Sequence, residues 1–226
     1  MKNYIHKEFP KTVGRRDFWK QIKRTVNGQE VSEKDISRIV TQVSQNLCLR
    51  KSDHLLDLGC GNGALASNFF SEVGYYTGVD FSEYLLDVAK EFFNPEGVKY
   101  IDSSVESFVN NCDNPSEYTK ILIYGVMSYF GREGFIQILT KIKQDFINAK
   151  CIFIGNIPNE LKAEEFYGNR GVLEYDVGDM NSAIGTWWTP EGLLRCCNEI
   201  GFKAELFYMP TCFYGAKYRY DIRLTR

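Results

Sequence analysis

Two kinds of hydrophobic pattern alternate along most of this chain. From residue 53 onward, short runs of apolar residues are separated by stretches in which apolar residues recur every three or four positions. The runs predict strands and the spaced patterns predict helices, including residues 63–73 and 132–148. The predicted strands cover residues 54–58, 75–80, 98–102, 120–125 and 151–155. Because strands that are apolar on both faces and alternate with helices form parallel sheets, the pattern predicts an α/β fold.

The C-terminal residues predict a closing hairpin. Thr189-Pro190-Glu191 begins a helix with proline at its first position, and Gly201 ends it. Two strands follow at residues 202–208 and 213–224, and the short link between them requires antiparallel pairing. The expected fold is therefore a Rossmann-like, doubly wound α/β sheet that is mostly parallel and has a C-terminal antiparallel hairpin.

The residues before this alternation are predicted to form an ordered helical extension. Apolar residues recur at helical spacing within residues 17–27, which predicts an amphipathic helix that Asn27-Gly28 ends. A second helix is predicted after Ser32, a good N-cap residue. We therefore divide the chain into an N-terminal helical extension or lid, residues 1–50, and a second domain, residues 51–226.

Basic residues are concentrated at the N-terminus. The 226-residue chain has a formal net charge of −2, but residues 1–24 contain eight Lys or Arg and only two acidic residues. This basic arm therefore carries a net charge of +6 and the remaining chain carries −8. A solvated helix face and a guide for an anionic partner are both compatible with this asymmetry.

Composition excludes several classes of protein. Hydrophobic residues make up 44% of the chain, enough for an extended core, so the chain is not disordered. No apolar stretch approaches the ~20 residues that span a bilayer, and no signal-peptide pattern is present. The seven cysteines include no Cys-x-x-Cys pair, so neither a disulfide framework nor a metal site is expected. These features predict a cytoplasmic protein with free thiols.

A glycine-rich turn is the strongest local signal. Gly59, Gly61 and Gly63 follow the first predicted sheet strand and precede a helix. Glycine allows the positive φ angles and close backbone approach that such a turn needs, and ligands of open α/β sheets bind at this edge. Gly59-x-Gly61-x-x-Ala64 also fits a dinucleotide-binding fingerprint, so an NAD oxidoreductase is one alternative.

Carboxylates at the ends of the neighbouring strands favour another nucleoside. Asp57 stands two residues before the first glycine, and Asp80 ends the second strand, where a carboxylate can hold both ribose hydroxyls. Asp102-Ser103 ends the third strand, where an acid can accept a hydrogen bond from an adenine amino group. The Tyr-x-x-x-Lys pair of a short-chain dehydrogenase does not occur in this sequence.

These motifs resemble those of the class I S-adenosylmethionine (SAM) dependent methyltransferases. The resemblance rests on Asp57-Leu-Gly-Cys-Gly-Asn-Gly63, Gly78-Val-Asp-Phe-Ser82, the Asp102-Ser103 strand end and Gly201-Phe202 before the hairpin. It covers about residues 50–226 and implies SAM as cofactor. The cofactor residues that it implies are Asp57, Gly59, Cys60 and Gly61 at the methionine part, Asp80 at the ribose, Phe81, Asp102 and Ser103 at the adenine, and Tyr124 in the pocket wall.

Methyl transfer is an in-line displacement, so the protein mainly supplies alignment and excludes water. A base is needed only where the acceptor must lose a proton. His54 begins the first sheet strand, at the end opposite the expected crevice, and is interpreted as structural. The candidate catalytic residues are His6 in the basic arm, Tyr129 after the fourth strand and Asn156 after the fifth.

The acceptor is expected to be a small hydroxylated anionic molecule, such as a sugar. The sequence has neither an Asn/Asp-Pro-Pro-Tyr segment nor a Pro-Cys pair, and both absences disfavour nucleobase methylation. Residues 156–188 are too long for an ordinary connection and are rich in polar and aromatic residues. The candidate substrate residues are Tyr129, Asn156, Tyr167, Arg170 and Trp187, with Arg15 and Arg16 of the lid binding an anionic group.

Two other functions remain open at this point. The basic arm could instead guide methylation of RNA or protein, in which case binding would weaken steeply with salt. A non-catalytic SAM-binding or scaffold protein is the alternative from another class. The preferred hypothesis expects a small-molecule partner, no nucleic acid or membrane partner, and a monomer or homodimer.

Overall fold

The computed structural model describes residues 7–226. Its strands are β1 (Thr25–Val26), β2 (Gln29–Glu30), β3 (His54–Leu58), β4 (Tyr75–Asp80), β5 (Val98–Asp102), β6 (Lys120–Tyr124), β7 (Cys151–Pro158), β8 (Lys203–Phe207) and β9 (Arg219–Thr225). Its α-helices are α1 (Phe18–Gln21), α2 (Glu33–Leu47), α3 (Glu83–Phe92), α4 (Val105–Asn111), α5 (Gly131–Asp145), α6 (Ala163–Gly168) and α7 (Pro190–Glu199).

Seven of the strands form one sheet in the order β5-β4-β3-β6-β7-β9-β8. The first five of these strands pair in parallel, and β9 pairs antiparallel with both β7 and β8. This confirms the predicted mostly parallel sheet with a C-terminal antiparallel hairpin. No helix within residues 7–226 has both the length and the apolar character needed to cross a membrane.

Helices cover both faces of the sheet because the central strands are apolar on both sides. One face packs residues such as Ile121 and Ile152 against α4, α5 and α7. The other face packs Leu122 and Phe153 against α2, which buries Ile39 and Val43 completely. The extension before residue 50 therefore shares a core with the sheet.

The structure differs from the predicted helix over residues 17–27. Only α1 is helical there, and β1 and β2 form a small hairpin instead. Asn27 and Gly28 make its turn with φ angles of +51° and +78°. Asn-Gly with positive φ at both positions is the preferred two-residue hairpin turn, and β-branched Thr25 and Val26 favour a strand. The Asn-Gly pair therefore turns a hairpin and does not end a helix.

The predicted helix over residues 63–73 is also absent, and turns with a short 3-10 segment at Ala66–Asn68 take its place. Polar side chains donate hydrogen bonds to main-chain carbonyl groups that would accept from main-chain amides in a helix. Ser67 Oγ donates to the Ala64 carbonyl, and Asn68 Nδ2 donates to the Ala64 and Leu65 carbonyls. Such local side-chain hydrogen bonds compete with helix formation.

Residues 156–188 connect β7 to α7 and contain α6. The predicted strand at 151–155 extends to Pro158, with a register shift against β9 between Ile154 and Ile157. Asn156 lies within this irregularity and has a φ angle of +65°. The last strand begins at Arg219, later than predicted, because residues 208–218 form turns.

Candidate active site

A cavity of about 360 Å³ opens at the carboxyl end of the parallel strands. The turns after β3, β4 and β6 form its floor, and residues 21–24 of the N-terminal extension form part of its wall. This is the position at which open α/β sheets bind ligands. The volume lies within the range of ordinary small-molecule sites.

The glycine turn after β3 brings main chain directly against the cavity. Gly59 and Gly61 have φ angles of +84° and +57°, in the region that favours glycine. A Cβ atom at Gly59 would lie 2.6 Å from Cγ1 of Val126, so no side chain fits there. The turn therefore offers a close-approach surface for a ligand.

Asp80 is a buried hydrogen-bond acceptor at the end of β4. Its side chain is 8% exposed, Oδ2 accepts from the Gly61 amide and Oδ1 accepts from the Ser82 amide, both at 2.9 Å. Burial raises the pKa of Asp80, and these main-chain donors oppose the rise. The Phe81 amide is a third main-chain donor, and the carboxylate also lines the cavity, where ligand hydroxyls can reach it.

Asp57 is a second buried carboxylate in the same cavity wall. It is 4% exposed and accepts a hydrogen bond from the Tyr76 hydroxyl at 3.0 Å. Burial raises its pKa to about 7; the Tyr76 hydrogen bond opposes this rise and the charge of Asp80 adds to it. The ionised form is therefore favoured once a positively charged ligand group lies nearby.

A buried amide ties the N-terminal extension to the glycine turn. Asn62 is fully buried, and its Nδ2 donates to the Phe18 carbonyl at 2.8 Å and to Gln21 Oε1 at 2.9 Å. Gln21 Nε2 in turn donates to the carbonyls of Gly14 and Arg15, both at 3.0 Å. We call these contacts the Asn62–Gln21 clasp, which holds the extension over the cavity.

Residues 55–144 match the family model described as a methyltransferase domain. Residues 55–144 therefore carry a methyltransferase domain, and the sheet order is consistent with the class I fold. The match supports an enzyme, and SAM or SAH is the molecule bound in solved methyltransferase structures that share the fold. The glycine turn and the Asp80 carboxylate fit that cofactor and would also fit a dinucleotide, so the match to a methyltransferase domain is what favours SAM.

Solved structures of low sequence identity share the fold of this methyltransferase. The methyltransferase domain of bacterial CtHen1 is 19% identical, with a TM-score of 0.62, over 85% of this chain and 100% of that chain. Magnesium protoporphyrin IX methyltransferase from Synechocystis PCC 6803 with bound SAH is 13% identical, with a TM-score of 0.60, over 85% of this chain and 82% of that chain. The small RNA methyltransferase HEN1 is 15% identical, with a TM-score of 0.67, over 89% of this chain and 27% of that chain. No curated protein matches the sequence.

Most residues that the sequence analysis assigned to the cofactor lie together in the methyltransferase cavity. Those that line it are Asp57, Gly59, Cys60, Gly61, Asp80, Phe81 and Tyr124. Asp102 and Ser103 end β5 beside Asp80, but the cavity wall there is formed by Ser104, Val105 and Glu106. Their roles toward the adenine stay predictions, and Glu106 is a further carboxylate at that end.

Arg15 and Arg16 do not line the methyltransferase cavity. Arg15 Nε lies 2.6 Å from Glu91 Oε2 on α3. The Arg16 guanidinium lies over the Phe92 ring, 5.1 Å from its centroid. Both side chains are held against the outer surface of α3, because that helix offers a carboxylate and an aromatic ring.

Tyr167, Arg170 and Trp187 lie in a separate aromatic cluster around α6. Trp187 is fully buried, with ring centroids of Phe166 and Tyr167 at 5.3 and 5.6 Å. The Arg170 guanidinium lies 3.6 Å from the centroid of the Phe166 ring. The cluster forms a small hydrophobic core within the 156–188 segment. None of these three predicted substrate residues lines the cavity at the glycine turn.

The three candidate catalytic residues are placed differently. Tyr129 lines the cavity, its hydroxyl donates to the Ala183 carbonyl at 3.2 Å, and burial raises its pKa. Asn156 lies beside the cavity residue Gly125, and its main-chain amide donates to Asp221 Oδ1 at 2.7 Å. His6 lies outside the described residues. His54 bonds through Nε2 to Thr77 Oγ1 and is not part of the cavity.

Sequence reasoning did not single out two residues of this site, Arg24 and Asn62. Arg24 lines the cavity and is 8% exposed, although the sequence presents it only as one cation of the basic arm. Asn62 occupies an unspecified position of the glycine motif. The presence of Asn between two glycines was the only available signal for Asn62, and nothing in the sequence distinguished Arg24.

The pKa of Asp57 predicts a pH-dependent methyltransferase. Burial raises the pKa of Asp57 in the folded protein to about 7, from its ordinary value of about 4. The folded state therefore keeps the proton that the unfolded state loses, and the free energy of unfolding falls as pH rises from about 4 to about 7. A cationic ligand favours the ionised form of Asp57. SAM affinity should therefore rise by up to ~10-fold per pH unit below about pH 7 and level off above it. Calorimetric titration of SAM from pH 5.5 to 8.5 tests this, and Asp57→Asn should flatten the profile. A steep profile that persists in the Asn variant would assign the titration to another group.

Proposed function

We propose that this enzyme transfers the methyl group of SAM to a small-molecule acceptor that carries hydroxyl groups and an anionic group, such as a sugar derivative. The observation that carries the proposal is the covered cavity. Residues 21–24 lie across the glycine turn, and Cγ2 of Ile22 would be 3.0 Å from a Cβ atom at Gly61. A site covered by its own chain suits a small acceptor better than a flat macromolecular surface.

Within this proposal, the residues of the glycine turn hold the methionine part of SAM and Asp80 holds the two ribose hydroxyls. Phe81 and the first residues of α4 with its N-cap Ser104 surround the adenine. Bound SAM supplies the electrophilic methyl group. The protein aligns acceptor and cofactor and excludes water from between them.

Tyr124, Tyr129 and Phe130 supply the acceptor side of the cavity in this proposal. Burial raises the pKa of Tyr129, so its hydroxyl is protonated at neutral pH. The hydroxyl donates to the Ala183 carbonyl, and its oxygen would accept a hydrogen bond from an acceptor hydroxyl. Tyr129 is thus proposed to orient the acceptor, and Asn156 to support the adjacent bulge. His6 lies outside the described residues, so its role as a base stays a prediction.

Two observations favour the alternative of a macromolecular acceptor. They are the basic arm and the fold shared with a small RNA methyltransferase. Several cations of the arm already have acidic partners. Lys11 pairs with Glu8 at 3.0 Å, and Arg15 pairs with Glu91. This partial neutralisation within the arm supports the small-molecule proposal.

A labelling experiment distinguishes the acceptor classes. The protein is incubated with methyl-labelled SAM and, separately, with a low-mass metabolite fraction, total RNA and total protein. We expect label to enter the low-mass fraction only, with moderate dependence on salt, and Asp80→Ala to abolish it. Label in RNA or protein that falls steeply between low and moderate salt would instead identify a macromolecular acceptor.

The proposed setting is a reducing cytoplasm, with the enzyme acting as a monomer or homodimer. All seven cysteines are free thiols in the structure, and this supports that setting. We also retain as a proposal the division into a lid, residues 1–50, and a methyltransferase domain, residues 51–226.

A further inference from the structure

Arg24 is an unusual cation for its place in the fold. It is 8% exposed and lines the cavity, whereas most basic residues of the extension are at the surface. Burying a guanidinium costs free energy unless an anion or several acceptors compensate it. Within residues 7–226, no carboxylate lies within 4.0 Å of its guanidinium nitrogens.

Aromatic groups surround the Arg24 side chain but do not neutralise it. The guanidinium lies over the Tyr124 ring, 4.9 Å from its centroid, and it is within hydrogen-bonding reach of the Tyr214 hydroxyl. Asp221 forms no ion pair with Arg24 within 4.0 Å and contributes only through its electric field. Its oxygens accept from the main-chain amide of Asn156 and from Gln42 Nε2. The positive charge is therefore largely uncompensated at the cavity wall.

The main chain holds Arg24 in place. Its amide donates to the Trp19 carbonyl at 2.7 Å, and its own carbonyl accepts from the Val31 amide at 3.1 Å. The guanidinium lies beside the turn after β6, since a Cβ atom at Gly125 would lie 3.3 Å from Arg24 Nη2. A fixed, desolvated guanidinium is well suited to bind a carboxylate or phosphate, because little entropy is lost on binding.

We propose that Arg24 forms an oxyanion-binding subsite in this cavity, for the carboxylate or phosphate group of a bound molecule. The inference rests on the proposed function, since the oxyanion would belong to SAM or to the acceptor. SAM offers its methionine carboxylate, and Asp57 in the same cavity wall offers the opposite charge that an α-amino group requires. An anionic acceptor offers its acidic group.

Decarboxylated SAM separates the two sources, because it retains the sulfonium and the amine but lacks the carboxylate. Calorimetry would compare SAM with decarboxylated SAM on the wild-type protein and on Arg24→Gln. If SAM supplies the oxyanion, the wild type prefers SAM on the order of 10- to 100-fold, and Arg24→Gln removes that preference. If the acceptor supplies it, both cofactors bind equally. Inorganic phosphate or acetate then binds the SAH-loaded wild type and not Arg24→Gln.

Controls keep the outcomes distinct. Lys20→Gln removes another cation of the extension, one that lies 4.0 Å from Asp17, and should change none of these affinities. Arg24→Lys keeps the charge and should retain part of the binding. The comparison of SAM with decarboxylated SAM on the wild type needs no variant, so it can still be made if the Arg24→Gln protein misfolds.

The subsite is refuted if Arg24→Gln folds and binds SAM, phosphate and acetate as the wild type does. With a misfolded variant, equal binding of both cofactors and no binding of phosphate or acetate to the wild type would refute it as well. If the wild type itself fails to bind SAM, the cofactor assignment fails and not this inference alone.

Discussion

Replacing Asp80 with alanine is expected to weaken SAM binding by at least about 100-fold. The proposed role gives its carboxylate two hydrogen bonds from the ribose hydroxyls, and hydrogen bonds to a charged group contribute ~1.5–3 kcal/mol each. The same carboxylate accepts from the amides of Gly61 and Ser82, so its loss also loosens the glycine turn. Isothermal titration calorimetry with SAM and SAH measures the effect.

Asp87→Ala is the matched control for that experiment. Asp87 is an exposed carboxylate on α3, seven residues further along the chain. Its removal should leave SAM affinity within about 2-fold, because surface substitutions away from special features have small effects. Asp80→Asn keeps the size of the side chain and should bind SAM with intermediate affinity. Unchanged affinity in Asp80→Ala would contradict the assignment of the ribose site.

Asn62→Ala is expected to release the N-terminal extension from the cavity. The substitution removes the hydrogen bonds to the Phe18 carbonyl and to Gln21 Oε1, and it leaves a void where a fully buried side chain stood. We expect the free energy of unfolding to fall by about 2–3 kcal/mol. We also expect SAM affinity to fall about 10-fold, because residues 21–24 would no longer close the wall. Limited trypsin proteolysis should cut within residues 7–24 faster than in the wild type.

A double-mutant cycle separates the Asn62–Gln21 clasp from general damage. Gln21→Ala removes the partner, so the effects of Asn62→Ala and Gln21→Ala should be clearly less than additive. Asn111→Ala, which removes a hydrogen bond from an exposed side chain to the Ser107 carbonyl on α4, should leave both proteolysis and binding unchanged. Fully additive effects, or wild-type proteolysis in Asn62→Ala, would show that the clasp does not hold the extension.

Regular periodicity made the sheet predictable, and local polar chemistry made other elements unpredictable. The apolar runs that became β3, β4, β5 and β6 were read correctly, since a strand buried on both faces leaves little ambiguity. The helix expected at residues 17–27 was wrong because Asn27-Gly28 supports a hairpin turn as well as a helix end. The helix expected at residues 63–73 was wrong because Ser67 and Asn68 capture nearby carbonyls.

The cofactor side of the site follows from local motifs, whereas the acceptor side depends on tertiary placement. The glycines and Asp80 sit at fixed offsets from strand ends, so their positions in the cavity could be anticipated. Which cation of the basic arm enters the cavity depends on the path of the chain after α1. Arg15 turns to Glu91 on α3, and Arg24 lies over Tyr124. Composition and spacing do not distinguish these two arginines.

A crystal structure of the protein with SAH shows whether Asp80 holds the ribose. Both ribose hydroxyls should lie within about 2.5–3.0 Å of the Asp80 carboxylate oxygens, and the homocysteine part should lie along Gly59 and Gly61. The nucleoside should occupy the cavity that residues 21–24 cover. A ribose bound away from Asp80, or a nucleoside bound outside this cavity, would contradict this assignment.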